Sequence, residues 1–310
     1  MNSIILSSPL PLDQNAAAVY IASLGGVHSS GGRTQAQALR VIAEIFKTSP
    51  ISINWGALRY QHTSMIRSQL MNRYAPATAN KMLSALKQAL KHARRLGQID
   101  GDDYSNAIDL DPIKGETLPA GRELSTGEIL ALISTCRKDK NTHAGTRDSA
   151  IIGTMYAAGL RREEVVNLSL SSYDQDTGQL TLTGKRNKQR TAYITNGAKS
   201  ALHDWITIRG NAPGALFVEV NKSGTMHTLE SMTPQAIYKI LRKRARQAAI
   251  RNFSPHDLRR TFISHLLDAG ADISTVSKMA GHSNVQTTVR YDKRPEEAKR
   301  KAAELLHVPY

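Results

Sequence analysis

The chain has 310 residues, more than one ordinary core holds, so we expect two domains. Lys and Arg number 41 against 26 Asp and Glu, and the resulting net charge of +15 favours nucleic acid over an acidic small substrate, with an anionic membrane surface as the rival partner. No apolar run reaches the roughly 20 residues of a membrane span, and no signal-peptide core is present, so we expect a cytoplasmic protein without a membrane partner. Cys136 is the only cysteine, so we expect neither internal disulfides nor a thiolate-rich metal site.

The N-terminal part is predicted to be a bundle of helices over residues 13–24, 34–46, 55–74 and 76–96. The last is the clearest, because apolar residues recur there at helical spacing, Pro76 suits a first helical turn and Gly97 a C-terminal cap. Its other faces are basic, and they either are simply solvated or lie along DNA phosphates. The basic residues proposed for DNA contact here are Lys81, Lys87, Lys91, Arg94 and Arg95.

The composition changes over residues 100–121, where aspartates are followed by prolines and glycines. This pattern predicts an interdomain linker, and we interpret Asp102, Asp103, Asp109 and Asp111 as a solvated acidic loop and not as a metal site. We place a helical domain at 1–111, the linker at 112–121 and a second domain at 122–310. Ser125 with Glu128 three residues later predicts a capped helix at the start of the second domain.

The second domain is predicted to be mainly helical with one small β-hairpin, which makes the fold class mainly α with an α+β second domain. Strands are expected at 179–183 and 190–194 around a turn at 184–188. Helices are expected at 148–158, through 164–168, from 233, and at 254–270, 272–279, 285–291 and 295–306. The helix from 233 presents further basic residues for DNA contact, Lys239, Arg242 and Lys243.

Arginines stand at two predicted helix starts, where a positive charge is unfavourable unless an anion lies near. Ser254 fits an N-cap and Pro255 the first helical position, so His256 and Arg259 share one face of a first turn. Arg161 likewise precedes the next predicted helix. The alternatives are an ordinary capped surface helix at 254 and, for Arg161, a salt bridge to its own glutamates.

Three further residues complete the candidate set. Lys185, beside Arg186, lies in the hairpin turn, which is either solvated or reaches a DNA groove. His282 precedes a predicted capping box of Ser283 and Gln286, which places it just outside a helix N-terminus. Tyr291 follows nine residues after His282, and taken alone it is as readily a half-buried core tyrosine.

In this order, Arg161, Lys185, His256-x-x-Arg259, Gly281-His282 and Tyr291 resemble the motifs of the tyrosine recombinase family, the phage-integrase and Xer-type enzymes. The resemblance covers residues 124–291 throughout, including Gly159-Leu160-Arg161-x-x-Glu164 and Gly184-Lys185-x-Asn187-Lys188-x-Arg190. The N-terminal domain is similar only loosely, mainly over 76–97. Five motifs in order are far more specific than any one of them.

The resemblance implies a site-specific recombinase that cleaves and rejoins duplex DNA through a 3′-phosphotyrosyl intermediate, in integration, excision or resolution. Tyr291 would be the nucleophile, while Arg161, Arg259 and His282 hold the phosphate. Lys185 would be the general acid, His256 a general base or hydrogen-bond partner, and Glu164 would orient the Arg161 region. Arg186 is a further expected DNA contact, and no metal, ATP or other cofactor is expected.

The resemblance also implies a C-shaped clamp on duplex DNA and a homo-tetramer on two synapsed sites. The helix at 295–306 is expected to dock on a neighbouring protomer, the alternative being its own domain. Two other functions stay open from the sequence. One is a type IB topoisomerase-like enzyme with the same chemistry, and the other is a catalytically silent DNA-binding regulator.

Overall fold

The computed structural model describes residues 4–115, 121–183, 189–282, 284–292, 300 and 303–304. The chain divides into two compact units, Met1–Ala120 and Gly121–Tyr310. Each unit has its own buried apolar cluster.

Unit 1 is helical, and its core forms around α4. The apolar stripe of this helix, which includes the fully buried Leu86 and Leu90, packs against the other helices of the unit. Trp55 and Ile42 fill the same core. The helices are α1 (Ala16–Ser23), α2 (Ser30–Ile45), α3 (Tyr60–Arg73), α4 (Pro76–Arg95) and α5 (Gly101–Ile108).

The acidic segment after α4 is a helix, so the linker predicted to begin at residue 100 is wrong over 101–108. Asp100 caps α5 by accepting a hydrogen bond from the amide of Asp103 at 2.8 Å. The aspartates of the first turn are favourable there, because the N-terminal end of a helix attracts negative charge. Ala107, Leu110 and Ile113 then bury their side chains in the core of unit 1.

The helix predicted over 55–74 is interrupted. A short 3₁₀ turn, Trp55–Ala57, is followed by extended backbone at Leu58 and Arg59 before α3 begins. The interruption lets the Trp55 indole donate to the Pro50 carbonyl at 3.0 Å, and it leaves Leu58 fully buried. Tertiary burial therefore overrides the local helical pattern.

Unit 2 combines helices with one antiparallel hairpin. The hairpin pairs Gln179 with Tyr193 and Thr183 with Gln189, as the alternation of apolar residues predicts, and the mainly helical fold with a small hairpin is confirmed. The helix over 196–209 was not predicted, and its Trp205 is fully buried. The elements are α6 (Thr126–Arg137), α7 (Thr142–Ala158), α8 (Arg162–Val166), β1 (Gln179–Thr183), β2 (Gln189–Tyr193), α9 (Asn196–Arg209), α10 (Pro234–Gln247), α11 (Pro255–Asp268), α12 (Ile273–Ala280) and α13 (Gln286–Val289).

A buried ionic cluster fixes the basic helix α10 against α7. The guanidinium of Arg244 is fully buried and pairs with Asp148 at 2.6 Å and with Asp139 at 2.5 Å. Arg147 pairs with the other oxygen of Asp148 at 2.7 Å. Burial raises the pKa of the neighbouring Cys136 thiol to about 12, so Cys136 stays protonated and acts as an apolar filler.

Candidate active site

The start of α11 is built as the sequence predicts. Ser254 caps the helix, Pro255 occupies its first position, and the Asp257 carboxylate accepts from the Ser254 amide at 2.8 Å. This capping box directs the first turn of α11, and with it His256, toward an open cleft of about 350 Å³ whose lining includes Arg161 and Arg259.

Arg259 is buried, with only 1% of its surface exposed. One of its nitrogens donates to the Gly159 carbonyl at 2.7 Å and the other to the Ala280 carbonyl, so it joins the C-terminal ends of α7 and α12. Gly159 has φ +58°, and a Cβ there would lie 2.4 Å from the Phe262 ring, so only glycine allows this close approach. Burial first, and the charge of Arg161 second, lower the pKa of Arg259 to about 10, which still leaves it a cation at neutral pH.

Arg161 forms a salt bridge to Glu164. This is one of the two interpretations of Arg161 that the sequence left open. The Arg161 guanidinium donates to one oxygen of Glu164 at 2.8 Å, and the Arg161 amide donates to the other at 2.9 Å. Burial by itself raises the pKa of the Glu164 carboxyl. The hydrogen bond from the Arg161 backbone amide and the charges of Arg190 and Arg161 outweigh this effect and hold the pKa below its usual value. The Arg161 side chain is 47% exposed, so its guanidinium still reaches solvent in the cleft.

His282 follows the left-handed Gly281 that ends α12. Its Nδ1 lies 2.8 Å from the hydroxyl of the buried Thr288, and a hydroxyl donating to Nδ1 leaves the imidazole proton on Nε2. Desolvation first, and then the charges of Arg259 and Arg161, lower the pKa of His282 to about 4. The ring is therefore neutral at physiological pH and is surrounded by cations.

Tyr291 lies just after α13 and is half-buried. Its hydroxyl is 3.4 Å from Nε2 of His256, and its ring packs 5.3 Å from the Arg260 guanidinium carbon. Although the His256 side chain is partly exposed, desolvation of its ring and the charges of Arg259 and Arg260 lower its pKa, an effect that Asp257 opposes. In the tautomer with its proton on Nδ1, a neutral His256 presents the Nε2 lone pair to the phenol.

The structure therefore brings together five of the predicted catalytic residues: Arg161, His256, Arg259, His282 and Tyr291. Lys185, Arg186 and Ser283 lie outside the described residues, and so does most of the predicted helix 295–306, of which 300, 303 and 304 are described. The predicted helix 285–291 is shorter, with the Asn284 side chain accepting from the Gln286 amide. Sequence reasoning gave Arg190 no role, although it pairs with Glu164 at 2.9 Å.

The residues proposed for DNA contact have different surroundings. Lys81, Lys91, Arg95 and Lys239 are exposed. Others make contacts within the protein. The amine of Lys87 donates to the Leu110 carbonyl at 3.0 Å, Arg94 stacks 5.1 Å from the Tyr104 ring, Arg242 lies 6.0 Å from the Tyr238 ring, and Lys243 pairs with Asp139 at 3.3 Å. Arg242 and Lys243 nevertheless line a groove of about 620 Å³ along α10.

The low pKa of His282 predicts a pH-dependent stability. The pKa of His282 is about 4 in the folded protein and about 6.5 in the unfolded chain. Between pH 6.5 and pH 4 the unfolded chain therefore binds a proton at His282 that the folded protein does not, and stability is lost as the pH falls through this range. We expect His282→Gln to remove part of this loss, less than the roughly 3 kcal/mol that the full pKa difference would give, because solvent screens the half-buried ring. Urea unfolding across this range, followed by Trp205 fluorescence in a Trp55→Phe background, measures it. The same change at the exposed His203 is the control, and equal pH slopes for wild type and His282→Gln would refute the prediction.

None of the helices in the described part of the chain combines the length and apolar composition that crossing a bilayer demands. Within the same residues, no group of three or more His, Cys, Asp or Glu side chains is arranged to hold a metal ion.

Comparison with known proteins identifies the family. Residues 122–297 match the phage integrase family, and the chain belongs to that family. Tyrosine recombinase XerD of Lacticaseibacillus casei is 35% identical over 228 residues, which are 70% of this chain and 72% of the relative. Tyrosine recombinase XerC of Azotobacter vinelandii is 32% identical over 246 residues, 76% of each chain. The protein is thus a site-specific tyrosine recombinase, an enzyme that cleaves and rejoins DNA.

Solved structures share the fold. The XerH site-specific recombinase in its pre-cleavage complex with difH substrate has a TM-score of 0.70 at 19% identity, covering 96% of this chain and 85% of that one. The Tn1549 transposon integrase in complex with transposon right end DNA also has a TM-score of 0.70, at 17% identity, covering 96% and 99%. These similarities confirm the fold predicted from the sequence.

Proposed function

We propose that Tyr291 is the nucleophile of this recombinase and that Arg161, Arg259 and His282 bind the scissile phosphate. The observation that carries the proposal is that Arg161, His256 and Arg259 line one open cleft, with the Tyr291 hydroxyl 3.4 Å from Nε2 of His256. His282 lies close enough to Arg259 and Arg161 for their charges to lower its pKa. Planar guanidiniums suit the non-bridging phosphate oxygens, and fixed donors stabilise the negative charge that grows on them in the transition state.

The reaction begins with an in-line attack of the Tyr291 oxygen on phosphorus. The phenolic proton passes toward Nε2 of the neutral His256 while the new phosphorus–oxygen bond forms. The bond to the 5′-oxygen breaks, and Lys185 donates a proton to that leaving group. The product is a 3′-phosphotyrosyl bond and a free 5′-hydroxyl. Attack by a second 5′-hydroxyl reverses these steps, so the phosphodiester energy is conserved and no ATP is consumed.

His282 serves as a neutral donor in this scheme. With Thr288 donating to Nδ1, the proton on Nε2 is available to a phosphate oxygen. Glu164 orients Arg161 through its bonds to both the main chain and the guanidinium. Since these groups supply the charge, we propose that neither a metal ion nor another cofactor takes part.

The wider assembly is part of the same proposal. Domains at 1–111 and 122–310, joined at 112–121, clamp duplex DNA through the basic faces of α4 and α10 and through Arg186. Four protomers synapse two sites, and the segment 295–306 docks on a neighbouring protomer. The protein acts on DNA in the cytoplasm. The basic groove along α10 supports the DNA contacts.

A covalent-capture experiment tests the proposal without knowledge of the target site. The protein is incubated with a randomised duplex library that carries nicks at varied positions, so that the short strand with the freed 5′-hydroxyl diffuses away. We expect denaturant-resistant protein–DNA adducts on a narrow set of sequences, formed equally fast in EDTA. Joined products from two captured sites would support recombination. Relaxation of supercoiled DNA alone would favour the topoisomerase-like function, and binding without adducts the silent regulator.

A further inference from the structure

Arg190 is a charged residue on the inward face of the hairpin. Strand β2 exposes Gln189 and Thr191, while Arg190 shares the opposite face with the buried Ala192. The Arg190 side chain is only 15% exposed, and its strand partner is the buried Leu182. Burying a guanidinium is costly unless it is paired, so this position calls for specific partners.

The partners of Arg190 lie on two other elements of the active site. One nitrogen donates to the Glu164 carboxylate on α8 at 2.9 Å, and another donates to the Met279 carbonyl near the end of α12 at 3.0 Å. The left-handed Gly281 packs on the same side chain, because a Cβ there would lie 2.7 Å from the Arg190 Nε. Arg190 therefore connects the hairpin to the elements that carry Arg161 and His282.

We infer that Arg190 is a positioning residue for phosphate binding, which fixes Glu164, and through it Arg161, relative to the end of α12. This inference rests on the proposed roles of Arg161 and His282. Arg190 is assigned an indirect role because its guanidinium bridges Glu164 and Met279 and is not part of the cleft lining that Arg161 and Arg259 share.

The geometry explains why such a residue is needed. One oxygen of Glu164 accepts from both the Arg161 amide and Arg190, and the other accepts from the Arg161 guanidinium. Without Arg190 the carboxylate keeps its bonds to Arg161 but loses the bond that ties it to the hairpin, so the half-exposed Arg161 side chain is held less firmly relative to the end of α12. A displacement of about 1 Å in a catalytic site costs on the order of 10²-fold in rate.

The test uses the nicked DNA site captured by the wild-type chain. Arg190→Met replaces the aliphatic stem of the arginine with an unbranched apolar chain and removes both hydrogen bonds. We expect adduct formation in a single turnover to slow by about 10²-fold, while DNA affinity is unchanged. Arg190→Lys is expected to be intermediate, because one ammonium reaches only one of the two acceptors. Thr191→Ala, on the exposed face of the same strand, is the matched control and should react at the wild-type rate.

A double variant separates positioning from support of the fold. If Arg190 acts through Arg161, Arg190→Met should slow an Arg161→Ala protein by far less than it slows the wild type. Losses that multiply, or an Arg190→Met protein that reacts at the wild-type rate, would overturn the inference and leave the proposed function intact. Absence of any adduct with the wild-type chain would instead refute the proposed function, and the role of Arg190 with it.

Discussion

Tyr291→Phe is expected to form no covalent adduct with a nicked site that traps the wild-type protein. The variant lacks the only atom of residue 291 that can bond to phosphorus, so the loss should be complete within detection. Folding should be preserved, because the ring still packs against Arg260 and the apolar cluster of Phe262, Leu267 and Val276. The contact removed among the described residues is the 3.4 Å approach to His256, whose loss changes the free energy of unfolding by about 1 kcal/mol.

The measurement pairs adduct formation on denaturing gels with a DNA-binding assay. We expect Tyr291→Phe to bind the captured site as tightly as the wild type. Tyr238→Phe is the informative control, because Tyr238 lines the same cleft as Arg161 and Arg259 and is the neighbouring phenol there among the described residues. Adducts from Tyr291→Phe that disappear in Tyr238→Phe would move the nucleophile to α10 and contradict the assignment.

Much of the local structure was predictable where it depends on residues three or four apart. Pro76, Ser125 and Ser254 mark helix starts that the structure confirms. The helix over 196–209 was not predictable in this way, because its N-cap Thr195 makes no side-chain capping bond and Asn196 has φ +51°. Aspartates around 100–103 are typical of turns and of first helical turns alike, and only the burial of Ala107 and Leu110 decides between them.

The candidate active site was likewise predictable only in part. The candidate catalytic side chains were predicted from motif order, since each motif contains its residue and the local structure that presents it. Their surroundings were not. Arg190 is 26 residues from Glu164 and 89 from Met279, and no local pattern reports a pairing at such separations. The burial of Arg259 between two helix ends depends likewise on how α7 and α12 pack.

Loss of Arg161 or of Arg259 is expected to slow cleavage by similar factors but to lower the free energy of unfolding by different amounts. Replacing either with alanine removes a proposed donor to the phosphate, and the loss of such a donor typically costs about 10²–10³-fold in rate. Arg161→Ala removes a half-exposed side chain, leaves Glu164 paired with Arg190, and should cost less than about 1 kcal/mol of unfolding free energy. Arg259→Ala leaves the carbonyls of Gly159 and Ala280 buried without their donor, at about 1–3 kcal/mol each.

Arg259→Lys distinguishes the two functions of this residue. A single ammonium restores at most one carbonyl contact and lacks the planar fork that suits a phosphate, so stability should recover in part while cleavage stays slow. Single-turnover adduct formation and urea unfolding, followed by Trp205 in a Trp55→Phe background, give the two quantities. Equal unfolding of Arg161→Ala and Arg259→Ala would show that the helix-end contacts contribute nothing to stability. Wild-type cleavage by either alanine variant would remove that arginine from the phosphate site, since a fixed donor cannot be lost from the transition state without a loss of rate.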